Sequence, residues 1–208
     1  MNARIGRRSF AMAAALSVFV AAPALALPPM PKPSHDYKLA PAGHYVLDPK
    51  HTAVVIRVPH VGFSYSVFRF LTVSADLDWD PANPAADALK ATVDPKSIAT
   101  APVDNFGAEL TGPGFLDAGK NPTATFVSKA FKPIDATHGQ VSGDLTIMGV
   151  TTPVTFDVDL VGDGQGFRGP VIGVTARTKL DPKAYALPPF IAGDIELTID
   201  AEFDQQAK

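Results

Sequence analysis

Val141-Ser142-Gly143-Asp144-Leu145-Thr146-Ile147-Met148-Gly149-Val150-Thr151-Thr152-Pro153-Val154-Thr155-Phe156-Asp157-Val158-Asp159-Leu160 decides the fold class. Val141, Leu145 and Ile147 alternate with Ser142, Asp144 and Thr146. Val154, Phe156, Val158 and Leu160 alternate with Thr155, Asp157 and Asp159. Strand side chains alternate with a period of 2, so these are two strands with one dry and one wet face, joined by a turn carrying Gly149 and Pro153.

The same alternation recurs on both sides of this pair, with turn residues between the runs. Thr52, Val54, Ile56 and Val58 share a face. Leu71, Val73, Ala75, Leu77 and Trp79 share another, as do Leu89, Ala91 and Val93, then Ala124, Phe126, Ser128 and Ala130. Ile172, Val174 and Ala176 precede a final run, Ile195, Leu197, Ile199, Ala201 and Phe203. One segment breaks the pattern. In Pro102 to Leu110, Asp104 is a candidate helix cap and Phe106 and Leu110 are four apart, which predicts a short helix with one apolar edge. Many short antiparallel strands with one apolar face form a sandwich or a closed barrel, and about eight strands enclose either a filled core or one slim ligand.

The chain has 208 residues, 46% hydrophobic and 19% charged, with a formal net charge of -3. That excludes a disordered chain and the basic footprint of a nucleic-acid binder. With no cysteine, thiol catalysis and disulfide staples are excluded. Arg4, Arg7 and Arg8 precede the uncharged apolar run Ala11 to Ala22 and the small-x-small site Ala24-Leu25-Ala26. Residues 1–26 therefore read as a signal peptide, with Arg7-Arg8-Ser9-Phe10 leaving general-secretion and twin-arginine export both open. The apolar run is too short to span a bilayer, and the expected location is the bacterial periplasm or the exterior. Residues 27–42 carry Pro28, Pro29, Pro31, Pro33 and Pro41 and read as an extended linker with little packing. One folded domain is expected over residues 43–204.

Several constellations give way to simpler readings. Gly164-Gln165-Gly166-Phe167-Arg168-Gly169 matches a dinucleotide fingerprint in letters, but a strand pattern follows it, so it reads as a hairpin loop. Asp76, Asp78 and Asp80 start like a calcium loop but lack its glycine and closing glutamate, so they form a solvated face. The histidines lack zinc-hydrolase spacing, and no serine sits in a Gly-x-Ser-x-Gly elbow. Counting by twos puts His60 in phase with Val54 and Arg69 in phase with Leu71, both on the dry face. A bulge in either run reverses the phase. They are rim residues with local hydrogen bonds, or they meet a ligand head group, arginine by paired bonds to phosphate and histidine by donating to a carbonyl.

A family resemblance runs through the whole domain. Tyr45-Val46-Leu47-Asp48 with His51-Thr52, and His60-Val61-Gly62-Phe63-Ser64, open it. Val93-Asp94 with Ser97-Ile98-Ala99-Thr100, and Leu110 with Gly114-Phe115-Leu116-Asp117, continue it. Asn121-Pro122 before Phe126-Val127-Ser128, and Gly143 to Thr151 before Pro153-Val154, are its most specific parts. In these, occurring in order from about His44 to Phe203, the chain resembles the YceI-like, polyisoprenoid-binding, lipocalin-like proteins. It departs from the family pattern at Phe68, where a glycine is usual before Arg69-Phe70, and at Ala184-Tyr185-Ala186-Leu187-Pro188-Pro189.

The resemblance implies an all-β, lipocalin-like extended antiparallel barrel of about eight strands with a short helix between strands. It also implies a long apolar pore for an isoprenoid quinone, a prenyl phosphate or a fatty-acid or amide amphiphile. Candidate pore linings are Val54, Ile56, Val58, Phe63, Phe68, Phe70, Leu77, Phe106, Leu110, Phe115, Phe126, Leu145, Ile147, Phe156, Ile172, Val174 and Leu197, with His60 and Arg69 for the head. The expected role is carriage or sequestration of a long-chain lipid. No catalytic residue, metal or cofactor other than the bound lipid is expected, nor nucleic acid or stable membrane insertion, and a homodimer stays open. An enzyme acting on lipid in the same pore would need convergent polar groups at depth, and Thr52, Ser128, His60 and Thr178 are the candidates. A solid-core interaction module is the remaining alternative.

Overall fold

Eleven strands form one antiparallel sheet: β1 (Gly43–Leu47), β2 (Ala53–His60), β3 (Ser64–Phe70), β4 (Val73–Trp79), β5 (Ala88–Val93), β6 (Ile98–Ala99), β7 (Ala124–Pro133), β8 (His138–Ile147), β9 (Val150–Gln165), β10 (Pro170–Leu180) and β11 (Ile195–Gln205). The computed structural model describes residues 29–185 and 187–207. The signal peptide expected at residues 1–26 lies outside them. The compact unit that carries these strands begins at Pro31.

The sheet closes on itself. β11 pairs with β10 along its whole length, with β2 through Glu196–Asp200, and with β1 through Phe203–Gln205. The ring β1-β4-β5-β7-β8-β9-β10-β11 is a closed eight-stranded antiparallel barrel, with β2, β3 and β6 prolonging three of its strands. Those three are broken at one level. Pro49–His51 and Pro95–Ser97 are single 3-10 turns, each opened by an aspartate of an Asp-Pro-Lys triplet, Asp48 and Asp94. Each aspartate Oδ1 accepts the backbone N–H two residues on, at 2.8 Å. Proline presets φ and the carboxylate takes an orphan donor, so the strand stops and restarts.

The opening stretch is β8 and most of β9. Ile147 pairs with Val150 across a two-residue turn in which Met148 and Gly149 have φ of 52° and 77°. Positive φ at both positions is the hairpin geometry that matches strand twist. Pro153 lies inside β9 rather than in the turn, opposite Asp144. β10 pairs with β9 only from Asp157 onward, so the missing N–H of Pro153 falls where that side of β9 has no ladder. Outside, Ser142 and Thr155 and then Thr146 and Thr151 share hydroxyl hydrogen bonds at 2.8 Å.

Two expectations are corrected. The helix is α1 (Phe106–Thr111), and its N-cap is Asn105, with no side-chain cap bond. Asp104 instead takes a positive φ of 44° just before it. The proline-rich segment is docked from Pro31 onward. Ser34 exchanges backbone hydrogen bonds with Asp163, Tyr37 N–H donates to Ala136, and Tyr45 Oη–H donates to the Pro41 carbonyl at 2.7 Å. Ala40 is only 1% exposed. Proline count predicted an unpacked tether; the free backbone groups between the prolines found partners instead.

Gly143 faces inward beneath the Phe126 ring. A Cβ there would stand 2.7 Å from Phe126 Cζ and collide with the Val127 carbonyl. Phe126 in turn packs edge-on against Phe156 at 5.2 Å. Gly143→Ala is expected to destabilise the barrel by about 1–3 kcal/mol through overpacking, read as a lower urea midpoint with unchanged slope.

Candidate functional site

The barrel is solid at one end and hollow toward the other. At the α1 end Val54, Phe126, Leu145, Phe156, Leu180, Tyr185, Ile191, Ile195 and Leu197 form a buried cluster. Tyr185, from the 3-10 turn Pro182–Tyr185, is 1% exposed and accepts a hydrogen bond from Thr152 Oγ1. Burial raises its phenol pKa. Tyr185 and Leu187, both from the stretch that departs from the family pattern, pack into this plug.

From Phe126, Phe156 and Leu197 a cavity of about 230 Å³ runs toward the opposite end, reaching exposed Lys132, Pro133, Ala136 and His138. Its wall carries Val54, Val73, Leu77, Leu89, Val141, Val158, Leu160, Ile172, Val174 and Ile199. Ala75, Ala91, Ala176 and Ala201 also line it, and Ala75 stands directly across from Ala91. Alanine at these inward positions is the reason for the space: the eight strands are spaced by backbone hydrogen bonding, and a methyl cannot reach the axis. Polar side chains lining the inner stretch are few. Thr52 Oγ1 is already committed, donating to the Asp48 carbonyl at 2.7 Å.

The structure divides the seventeen expected pore residues. Val54, Leu77, Phe126, Leu145, Phe156, Ile172, Val174 and Leu197 line the cavity. Ile56, Val58, Phe70 and Ile147 pack against the solid end cluster. Phe68 is buried against Phe106 of α1, ring centres 5.9 Å apart, so this departure from the family pattern seats the helix rather than shaping a mouth. Leu110 is buried under the same segment, Phe115 packs on Phe190, and Phe63 is 89% exposed at the β2–β3 turn. Counting by twos predicts which face a residue takes but not its height in the barrel, and the plug occupies one whole height.

His60 and Arg69 are also corrected as a head-group pair. Arg69 is opposite Val55, on the outer face, and donates to the Thr52 carbonyl at 2.7 Å. The break at Leu71-Thr72 shifts the phase: Phe70 and Val73 face in, while Leu71 is 61% exposed. His60 keeps the phase of Val54 but is exposed at the hairpin, paired with Ser64. Five residues separate Ser64 from Arg69, about 16 Å along the strand, so the two cannot grip one head.

A second phase change lies in β7. Its register slips between Ser128 and Ala130, so Phe131 lines the cavity and Ala130 is exposed. Ser128 Oγ accepts the Leu89 N–H at 2.7 Å and patches the ladder there. Phe131 meets Trp79 edge-on at 6.5 Å, and Tyr37, from the 3-10 turn Tyr37–Leu39, meets it on another side at 6.2 Å. Asp87, which the sequence did not single out because it reads as a turn residue, lines the same end. Its Oδ1 accepts the Asp80 N–H at 2.6 Å. Desolvation pushes its pKa up to about 6, and the nearby Asp80 charge adds to this.

Elsewhere, Asp48, His51 and Glu202 place one ligand atom each within 4.8 Å of one another. This group is explained as a capped turn. Asp48 Oδ1 takes the Lys50 N–H, and Oδ2 meets His51 Nδ1 at 2.8 Å, which raises the imidazole pKa. Gly166 N–H donates to the Gly169 carbonyl, closing the glycine-rich β9–β10 loop as a hairpin.

For Asp87 the sign of the pH effect follows from its raised pKa. The folded state holds the proton from the ordinary 3.8 up to about 6, so its contribution is present below that window and is lost as pH rises through it. Asp87→Asn is expected to raise the melting temperature more at pH 7.5 than at pH 4, read by differential scanning calorimetry at the two pH values.

Comparison with known proteins agrees with this architecture. Residues 45–203 match the YceI-like domain. A UPF0312 protein of Vibrio cholerae is 34% identical over 173 residues, covering 77% of this chain and 88% of its own. One from Vibrio vulnificus is 37% identical over 158 residues, 72% and 80% of the two chains. Among solved structures, the Campylobacter jejuni YceI protein superposes with a TM-score of 0.61 at 28% identity, over 68% of this chain and 85% of its own. Burkholderia cenocepacia BcnA gives 0.66 at 23%, over 75% and 98%, which bears on the fold alone. A polyisoprenoid binding domain from Saccharophagus degradans gives 0.58 at 13%, over 80% and 100%, and likewise bears on the fold alone. With the closed barrel, its hollow apolar interior and a domain match spanning nearly all of both, this chain belongs to the YceI-like family.

Proposed function

We propose that this protein binds a long-chain isoprenoid lipid inside the barrel and carries or sequesters it in the periplasm or outside the cell. The observation that carries the reading is the hollow: an alanine-banded, apolar-walled space of about 230 Å³ that reaches the outside at one end. Each methylene moved from water onto that wall contributes about 0.8 kcal/mol, so a chain of a few prenyl units binds without any charge pair. The volume falls just under the range of about 300–1,000 Å³ usual for drug-sized ligands. That suits a slim chain better than a fused-ring ligand. The fold likeness to a domain described as polyisoprenoid-binding supports the choice of chain. Export rests on residues 1–26, and among the described residues no helix is long and apolar enough to cross a membrane.

The role asks for no catalytic group. Thr52, Ser128 and Thr178, three of the side chains an enzyme reading would call on, are bonded locally and form no convergent set for chemistry on a bound lipid.

Native mass spectrometry of the exported protein, followed by solvent extraction, is expected to show a co-purifying isoprenoid; a barrel that never retains added or endogenous lipid contradicts the proposal. Ala91→Phe projects a ring into the cavity and is expected to abolish retention while keeping or raising the melting temperature, as cavity filling does. Retained binding in this variant places the lipid elsewhere.

A further inference from the structure

The open end of the hollow is polar, unlike the rest of its wall. Among the described residues, the buried side-chain atoms with no hydrogen-bond partner are Trp79 Nε1, Asp87 Oδ2 and both carboxylate oxygens of Asp163. Asp163 does not border the hollow; it lies beneath the docked Ser34 segment, near Tyr45. Trp79 and Asp87 both line the hollow. They are also neighbours by register. Leu77 pairs with Leu89 and Asp78 with Ala88, which puts Trp79 at the end of β4 and Asp87 just before β5, at the same end of the two strands. Tyr37 and Phe131 both pack edge-on against the indole.

A buried donor and a buried acceptor are each destabilising when left without a partner. At the end of an apolar tube, a ligand group that both accepts and donates relieves both. We infer that Trp79 and Asp87 form the head-group subsite of this barrel, and that it takes an uncharged head carrying an O–H or N–H donor together with an acceptor, an alcohol, quinol or primary amide, in preference to a phosphate. This rests on the lipid-binding reading above and deepens it. The indole N–H donates to the head oxygen and the free Asp87 oxygen accepts from the head. An anionic head would meet the Asp87 carboxylate in a site where charges are poorly screened. The nearby cation, Lys132, is exposed at the rim, where water and salt weaken its attraction. The head therefore sits at the end opposite α1, with the tail running toward Phe126 and Phe156.

The test compares geranylgeraniol, geranylgeranyl monophosphate and the saturated C20 isoprenoid phytane on the lipid-stripped mature protein, by displacement of a fluorescent lipid. The parent protein is expected to bind the alcohol about tenfold more tightly than either other ligand. Trp79→Phe keeps the packing and removes the donor. It should weaken the alcohol about fivefold and leave phytane unchanged. Asp87→Asn keeps an acceptor for the Asp80 N–H and removes the charge, so it should improve phosphate binding severalfold and narrow the gap. If phytane binds as tightly as the alcohol, or both variants shift all three ligands alike, the head subsite is overturned while the pore reading stands. Failure of all three ligands, phytane included, overturns the pore reading and the subsite with it.

Discussion

Everything in this molecule depends on one seam, the antiparallel pairing of β11 with β2 through Glu196–Asp200 and with β1 through Phe203–Gln205. Without it the eight-stranded sheet would have two exposed edges and an uncovered apolar face. With it, the ring has a fixed circumference and the backbone sets the inner diameter. Side chains then decide only whether the middle is filled. At one height Tyr185, Phe126, Phe156 and their neighbours fill it. At the next, Ala75, Ala91, Ala176 and Ala201 do not. The pore is a packing shortfall held open by closure, and closure makes that shortfall tolerable because the wall cannot collapse inward without breaking ladder hydrogen bonds.

The irregularities decide which residues line the hollow. The Asp-Pro-Lys turns stop two strands, the Leu71-Thr72 break stops a third at the same level, and β11 serves β2 and β1 in succession. The break at Leu71-Thr72 turns Arg69 outward, and the β7 bulge turns Phe131 inward. Each is a one-residue event, and in a strand one residue is the whole difference between core and solvent. The outer surface absorbs the consequences in hydroxyl pairs and carboxylate–cation pairs such as Arg57 with Glu196 at 2.5 Å, which are exposed and contribute little to stability.

The two ends of the barrel differ in kind. The α1 end is stopped by apolar packing and by a tyrosine whose hydroxyl is satisfied. The other end collects aromatic rings, the Tyr37 turn and two unsatisfied polar atoms. In the proposed binding mode that asymmetry orients the chain, tail toward the plug and head toward Trp79. Membership in the YceI-like family accounts for the barrel.

The strands, their dry and wet faces and a turn at Gly149 are legible in the sequence, because alternation and turn chemistry are local and survive in one dimension; the family is legible as a resemblance in motifs that occur in order. Eight of the seventeen expected pore residues line the cavity for the same reason, those such as Val54, Leu77, Ile172 and Val174 being in phase within unbroken runs. The inward alanines were visible as well, and their smallness was the available signal for a hollow. Tertiary structure alone decided where along the axis each residue lies, so that Ile56, Val58 and Phe70 belong to the plug and not the pore. It alone decided that the proline-rich segment docks, that Arg69 faces water, and that Asp87 stands beside Trp79. Those outcomes depend on strand breaks, register slips and ring closure, which bring together residues far apart in the chain, and no local periodicity encodes a distance of that kind.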